Sequence, residues 1–385
     1  MHFIKVFSLI FFLTTLVPFN VQAFQRETPD KIETKTLKIK FNGETLKGIY
    51  SLTDARTKDE KLTDLANGTT NGSIILFLNG HAQRPADSKH FINDLAVKSR
   101  SGIVVSPICD TPYGKNKMWR GDNGKDIILM EMVRYIIADL NISMKNYVTI
   151  DGLPVLINNG LISDTPKAVT SNVVAVGWSH GGLLSRRLAS GWPETIKGLG
   201  QVCPAGYNDW LLGPGTLALA FTGEGFNIGT LLFTRSAPHA VRAGYGFASG
   251  VFADSIRGIG SSITNLSPGK MFRALRDVSD CSMYATDNNL PVNNINNGVV
   301  IFGLSDTVMD TDHSGIEGSE QPDDEENKRF WSKFYPGLQI NNGKFRVNFL
   351  KGNHIAPIVH HDLYSTTILE GLQEMMPETL LLSDK

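Results

Sequence analysis

The chain has 385 residues, 37 of them glycine, with 41% hydrophobic and 19% charged side chains and a formal net charge of −1. Near-neutral charge excludes a basic nucleic-acid groove and strong attraction to anionic membranes, and three cysteines, Cys109, Cys203 and Cys281, are too few for a disulfide scaffold. The length suffices for one large domain with an insertion or for two domains.

Residues 1–23 read as a secretory signal peptide. Lys5 precedes an apolar run from Val6 to Leu13 and on to Val17, and Val21-Gln22-Ala23 supplies small residues for cleavage. Thr14, Thr15, Pro18 and Asn20 interrupt a stretch already short for a membrane span, so the mature chain is expected to begin near Phe24. No later stretch reaches about 18 uninterrupted apolar residues, and the expected location is secreted or periplasmic. That compartment allows one disulfide with a thiol left over, in no specified pair. Cys109 and Cys203 both follow strand-like runs, so buried apolar cysteines are the equal alternative.

Asn42-Gly43 between residues 36–40 and 45–53 signals an opening hairpin. Residues 54–72 are polar and broken, and read as a loop. Asn67-Gly68-Thr69 and Asn71-Gly72-Ser73 match glycosylation acceptors, meaningful only in a eukaryotic host. Residues 73–78 (SIILFL) form a buried strand ending in Asn79-Gly80-His81-Ala82, and residues 102–106 (GIVVS) form the next. Residues 107–124 are a loop whose Arg120-Gly121-Asp122 tripeptide carries no weight alone. Residues 126–140 have helical apolar spacing at Ile127, Met130, Met132, Ile136 and Ile137, with Asp126 suited to the N-cap. Within 141–167, residues 147–150 and 155–157 flank Asp151-Gly152 as a further hairpin.

The most informative stretch is 171–190, SNVVAVGWSHGGLLSRRLAS. An apolar strand at 173–176 runs into Gly177-Trp178-Ser179-His180-Gly181, and a helix follows. Strand, G-x-S-x-G, helix is the context of a nucleophile elbow. A serine thrust out on that turn sits in strained backbone, and flanking glycines relieve the crowding. The N–H of His180, at a helix N-terminus, faces a place suited to a developing oxyanion. Further strands are expected at 198–203, 299–302 and 345–350, and a closing helix at 363–375.

These features resemble the α/β-hydrolase fold, whose members order the triad as nucleophile, acid, histidine. The resemblance implies an α/β chain with a mostly parallel central sheet flanked by helices. Within it, 24–206 form the first part of the core and 298–385 the second. Residues 207–297, glycine-rich and apolar without a clean strand, resemble an inserted lid or cap, with an ordinary buried helical subdomain as the alternative. The segment 141–167 is an insertion of unassigned purpose.

By the same resemblance the catalytic residues are Ser179, Asp306 and His354. Asp306 lies in Gly303-Leu304-Ser305-Asp306 after the strand at 299–302, with Asp310 and Asp312 as rivals. His354 lies in Lys351-Gly352-Asn353-His354 after the last strand, with His360 and His361 as rivals. The oxyanion hole is assigned to the backbone N–H groups of His180 and His81. Asn79 stands where the family usually has histidine, a departure that makes His81 a positional assignment.

No metal and no cofactor are expected. The run Asp310 to Gly315 opens like a calcium loop, but Gln321 stands where an EF-hand needs its glutamate, and a solvated acidic loop into Glu326 is the better reading. The expected activity is a secreted lipase or carboxylesterase acting through an acyl-enzyme on a small-molecule or lipid ester. Transient lipid-surface contact through the lid would accompany it. The alternatives are a peptidase or polyester depolymerase, an acyltransferase, and an inactive binding protein on the same fold.

Overall fold

The computed structural model describes residues 26–29, 32–41, 44–67, 70, 72–80, 85–107, 132, 135–136, 147–150, 153–158, 161–163, 173–191, 196–205, 298–304, 306, 335, 345–352 and 354–375. Residues 1–23, expected as a signal peptide, residues 207–297, expected as a lid or cap, the acidic run from Asp310, Cys109, Cys281 and His81 lie outside the described residues, as does most of the helix expected at 126–140. Of that helix, Met132, Tyr135 and Ile136 are helical and buried.

An eight-stranded sheet forms the centre, in the order β1-β2-β4-β3-β8-β9-β10-β11. Strands β1 (Glu33–Phe41) and β2 (Glu44–Asp54) make the expected hairpin, with Phe41 opposite Glu44. β2 then pairs antiparallel with β4 (Ile103–Pro107). From β4 onward every pairing is parallel, through β3 (Ile74–Leu78), β8 (Val173–Trp178), β9 (Ile196–Val202), β10 (Gly298–Gly303) and β11 (Phe345–Leu350). The composition explains the division. Every residue of β3, β4, β8 and β10 is buried, as continuous apolar runs in a parallel sheet covered on both faces must be. β1 is an exposed edge that alternates with lysine and threonine, which discourages further pairing.

Two helices cover one face of this sheet. Helix α2 (Lys89–Lys98) buries Phe91, Ile92, Leu95 and Ala96, and helix α5 (His361–Met375) buries Tyr364, Ile368, Leu369 and Leu372. Both stripes have the spacing of one helix face. They join alternate residues Ile75 and Phe77 of β3 and Val174, Val176 and Trp178 of β8 in a single core cluster. Each fully buried side chain of this size contributes about 1.5–3 kcal/mol. Lys98 fastens the two helices by reaching Asp362 Oδ1 (2.7 Å), Ser365 Oγ (2.9 Å) and Thr366 Oγ1 (2.8 Å). Helix α3 (His180–Gly191) follows β8, and a one-turn helix α4 (Ala356–Val359) precedes α5.

Two local readings differ from the sequence expectation. The polar stretch after Asp54 holds helix α1 (Lys58–Asn67) rather than a loop. The cause is a capping box: Glu60 N–H donates to Thr57 Oγ1 (3.2 Å), and Thr57 N–H donates to Glu60 Oε2 (2.7 Å). The inserted hairpin is three-stranded, β5 (Tyr147–Ile150), β6 (Leu153–Asn158) and β7 (Leu161–Ser163), because the chain turns back once more after Asn158. Among the described residues no helix is long and apolar enough to cross a membrane.

Candidate active site

Ser179 occupies the turn between β8 and α3 with φ of +55°, a left-handed backbone that non-glycine residues adopt at a cost. Three backbone hydrogen bonds hold it there. Its N–H donates to Val202 O (2.9 Å), and its carbonyl accepts from Gly182 and Ala205 N–H (2.9 Å each). The turn is tight enough to dictate both glycines of the motif. A Cβ on Gly177 would lie 2.1 Å from the carbonyl oxygen of Gly181, and one on Gly181 would lie 2.0 Å from that of Leu78. The pattern G-x-S-x-G is thus a steric requirement of β8, α3 and the end of β3 meeting at one point.

Asp306 and His354 come together although 48 residues separate them. His354 Nδ1 is 3.1 Å from Asp306 Oδ2, and both residues are buried. Asp306 follows β10; its N–H donates to Gly303 O (3.0 Å), and Leu304 N–H bridges to Leu350 O at the end of β11 (2.9 Å). The acid turn is thereby tied to the strand from which the histidine loop leaves. Gly352, at φ of +137°, lets the chain reverse before His354.

Trp178, the residue before Ser179, connects the serine turn to this pair. Its indole N–H donates to the backbone carbonyl of His354 (3.0 Å), and Trp178 is fully buried. The two rings lie 6.3 Å apart, centre to centre. The serine turn and the histidine loop are therefore locked to each other by a buried hydrogen bond. Deeper in the sheet, Gln201 accepts from Tyr335 Oη (2.5 Å) and donates to the carbonyl of Gly182 (2.7 Å), which steadies the first turn of α3. Sequence reasoning did not single out Trp178, Gln201 or Tyr335.

The rival histidines are engaged elsewhere or capped. His361 Nδ1 lies 2.5 Å from Asp94 Oδ2 on α2 and its ring stacks on His90, while His360 caps α4. Asp310 and Asp312, the rival acids, lie outside the described residues. His180 is the first residue of α3, which places its backbone at the helix N-terminus beside Ser179. At the end of β3, the Asn79 amide donates to Ser106 Oγ (2.7 Å) and accepts from Ser88 Oγ (3.1 Å). Asn79 thus pins the end of β3 to β4 and to the start of α2.

Behind the acid–histidine pair lie two further groups. Cys203, at the end of β9, is buried and has φ of +42°. Tyr364 on α5 is also wholly buried. Burial, and then the neighbouring Cys203 and Asp306, push the Tyr364 hydroxyl far above the ordinary phenol range, so it stays protonated.

No family model matches the chain, and no curated protein matches it in sequence. Among solved structures, a membrane phospholipase A described as a bacterial virulence factor is similar at a TM-score of 0.50 and 12% identity, over 97% of this chain and 97% of that one. A thermophilic esterase from Thermogutta terrifontis gives 0.49 at 12% identity, over 89% and 99% of the two chains. A peroxisomal α/β-hydrolase from Saccharomyces cerevisiae gives 0.48 at 15% identity, over 92% and 91%. The strand order, the antiparallel pairings of β2 with β1 and β4 at its start, the serine turn after the fifth strand of the sheet and the helices flanking it define one architecture: this chain has the α/β-hydrolase fold.

Proposed function

We propose that the protein is a serine hydrolase of carboxylic esters, acting through Ser179, Asp306 and His354. The observation that carries this reading is the strained Ser179 turn locked by Trp178 to a buried Asp306–His354 pair. A carboxylate beside Nδ1 holds the ring proton there and leaves Nε2 as the base. Nε2 of His354 takes the proton of Ser179 Oγ, and Oγ attacks the ester carbonyl. The oxyanion accepts hydrogen bonds from the N–H groups of His180 and His81, each worth about 2.7–4 kcal/mol in the transition state. Collapse expels the alcohol, protonated by His354, and water activated by the same nitrogen releases the acid from the acyl-enzyme.

The signal-peptide pattern of residues 1–23 and the apolar composition of residues 207–297, read as a cap, support a secreted lipase or carboxylesterase whose substrate has a hydrophobic acyl portion. The test is hydrolysis of nitrophenyl esters of short and long acyl chain, beside matched amides. Turnover of esters above amides, lost by at least about a thousandfold in Ser179→Ala, is expected. Equal turnover by the variant would refute the nucleophile.

A further inference from the structure

We propose that Cys203, Asp306 and His354 form an inhibitory zinc site, built around the base of the hydrolytic reaction and able to switch it off. The inference rests on the reading of His354 as that base. The sulfur of Cys203, a carboxylate oxygen of Asp306 and a ring nitrogen of His354 all lie within 4.8 Å of one another, and all three residues are buried. An ion at the centre of such a triangle is at most roughly 2.8 Å from each corner, against about 2.0–2.3 Å for zinc bonds to nitrogen, oxygen and sulfur. Side-chain shifts of at most about 0.8 Å therefore close the set.

The thiol has no part in the ester hydrolysis, yet its backbone is held as deliberately as the nucleophile's. Cys203 and Ser179 are the two non-glycine residues with positive φ among the described residues, and Cys203 N–H donates to Ile301 O at 2.7 Å. A second feature points the same way. The Tyr364 hydroxyl is fully buried and has no hydrogen-bond partner among the described residues. Cys203 and Asp306 are among the groups that act on this hydroxyl, and a phenol so placed is a donor of the kind that can orient metal ligands.

Charge and softness specify the ion. Thiolate, carboxylate and neutral imidazole sum with Zn²⁺ to zero, so the buried site carries no net charge once the thiol proton has left to solvent. A thiolate–imidazole set prefers zinc to magnesium or calcium. Binding stops hydrolysis by either nitrogen. At Nδ1, the one facing Asp306, the metal displaces the ring proton to Nε2, which then donates where it must accept. At Nε2 the metal takes the lone pair itself.

The test uses the whole mature protein in metal-buffered solution with two readouts. Zn²⁺ should suppress ester turnover, with recovery on adding EDTA, and the half-inhibiting concentration should rise at least about tenfold in Cys203→Ser. Independently of activity, Co²⁺ should give a thiolate-to-cobalt charge-transfer absorption in the unsubstituted protein that Cys203→Ser loses. Cys203→Ala replaces the serine variant if that one does not fold. If neither folds, His354→Ala should weaken the cobalt absorption by a similar factor. Absence of the band, its persistence without Cys203 or undiminished in His354→Ala, or inhibition equally strong without the thiol would overturn the proposal. If the protein shows the band but hydrolyses no ester, the metal site stands and the reading of His354 as a hydrolytic base fails.

Discussion

At the scale of single residues, the site stores strain where chemistry needs exposure. Ser179 at φ +55° lies in backbone that costs about 1–3 kcal/mol for a residue with a Cβ. Ser179→Gly should therefore be more stable than Ser179→Ala by about 1 kcal/mol, since glycine relieves the strain and alanine does not. Chemical denaturation of the two variants measures this, and equal midpoints would show the turn to be unstrained. Trp178 makes a different demand. Trp178→Phe keeps most of the packing but removes the indole donor from the His354 carbonyl, at about 1–3 kcal/mol. If the indole positions the histidine loop, kcat should fall about tenfold with KM little changed, whereas a purely structural role would lower stability and leave kcat alone. The glycines around Ser179 are legible in sequence because their steric reason is local. The Trp178 bond is not, because donor and acceptor are 176 residues apart and nothing in either local pattern announces the other.

At the scale of elements, helix α1 shows how a polar segment earns its structure from ends and partners rather than from a hydrophobic stripe. Its capping box, Thr57 to Glu60, was available to a reader of the sequence, but the acidic and basic residues around it mask any apolar period. Tertiary ion pairs complete it. Arg56 Nη1 meets the buried Asp64 (2.7 Å) and Nη2 meets Asp54 (2.9 Å), while Arg26 pairs with Glu60 (2.5 Å). Burial acts to raise the pKa values of Asp54 and Glu60. The guanidinium groups and backbone N–H donors outweigh it, and both end below their ordinary values of 3.8 and 4.5. Their contribution to stability is thus present above the ordinary carboxylate range and is lost as pH falls through the depressed folded values. Arg56→Met leaves Asp54 and Asp64 without their guanidinium and should cost about 3–5 kcal/mol at neutral pH. The deficit should shrink below about pH 4, where the carboxylates take up protons. Urea midpoints of both proteins across that range measure it. A deficit independent of pH would assign the loss to packing alone.

At the scale of the whole molecule, the parallel order β4-β3-β8-β9-β10-β11 brings the loops after β3, β8, β9, β10 and β11 to one edge of the sheet. Ser179, Cys203, Asp306 and His354 all follow strand ends there, and the separation of Asp306 and His354 in sequence vanishes in space. This much was legible beforehand, since buried parallel strands are continuous apolar runs and each is followed by a turn with distinctive residues. The antiparallel pairing of β2 with β4, the third strand of the 147–163 sheet and the Cys203–Tyr364 grouping were not. Each depends on partners remote in sequence rather than on local pattern. The proposed chemistry requires Ser179 as the nucleophile. The most direct measurement is treatment of the purified protein with a fluorophosphonate, followed by mass mapping of the adduct. A single adduct on Ser179, absent from Ser179→Ala and slowed by at least about a hundredfold in His354→Ala, is the predicted result. A folded protein that takes no adduct, or takes it on another residue, would contradict the proposal that this chain is a serine hydrolase.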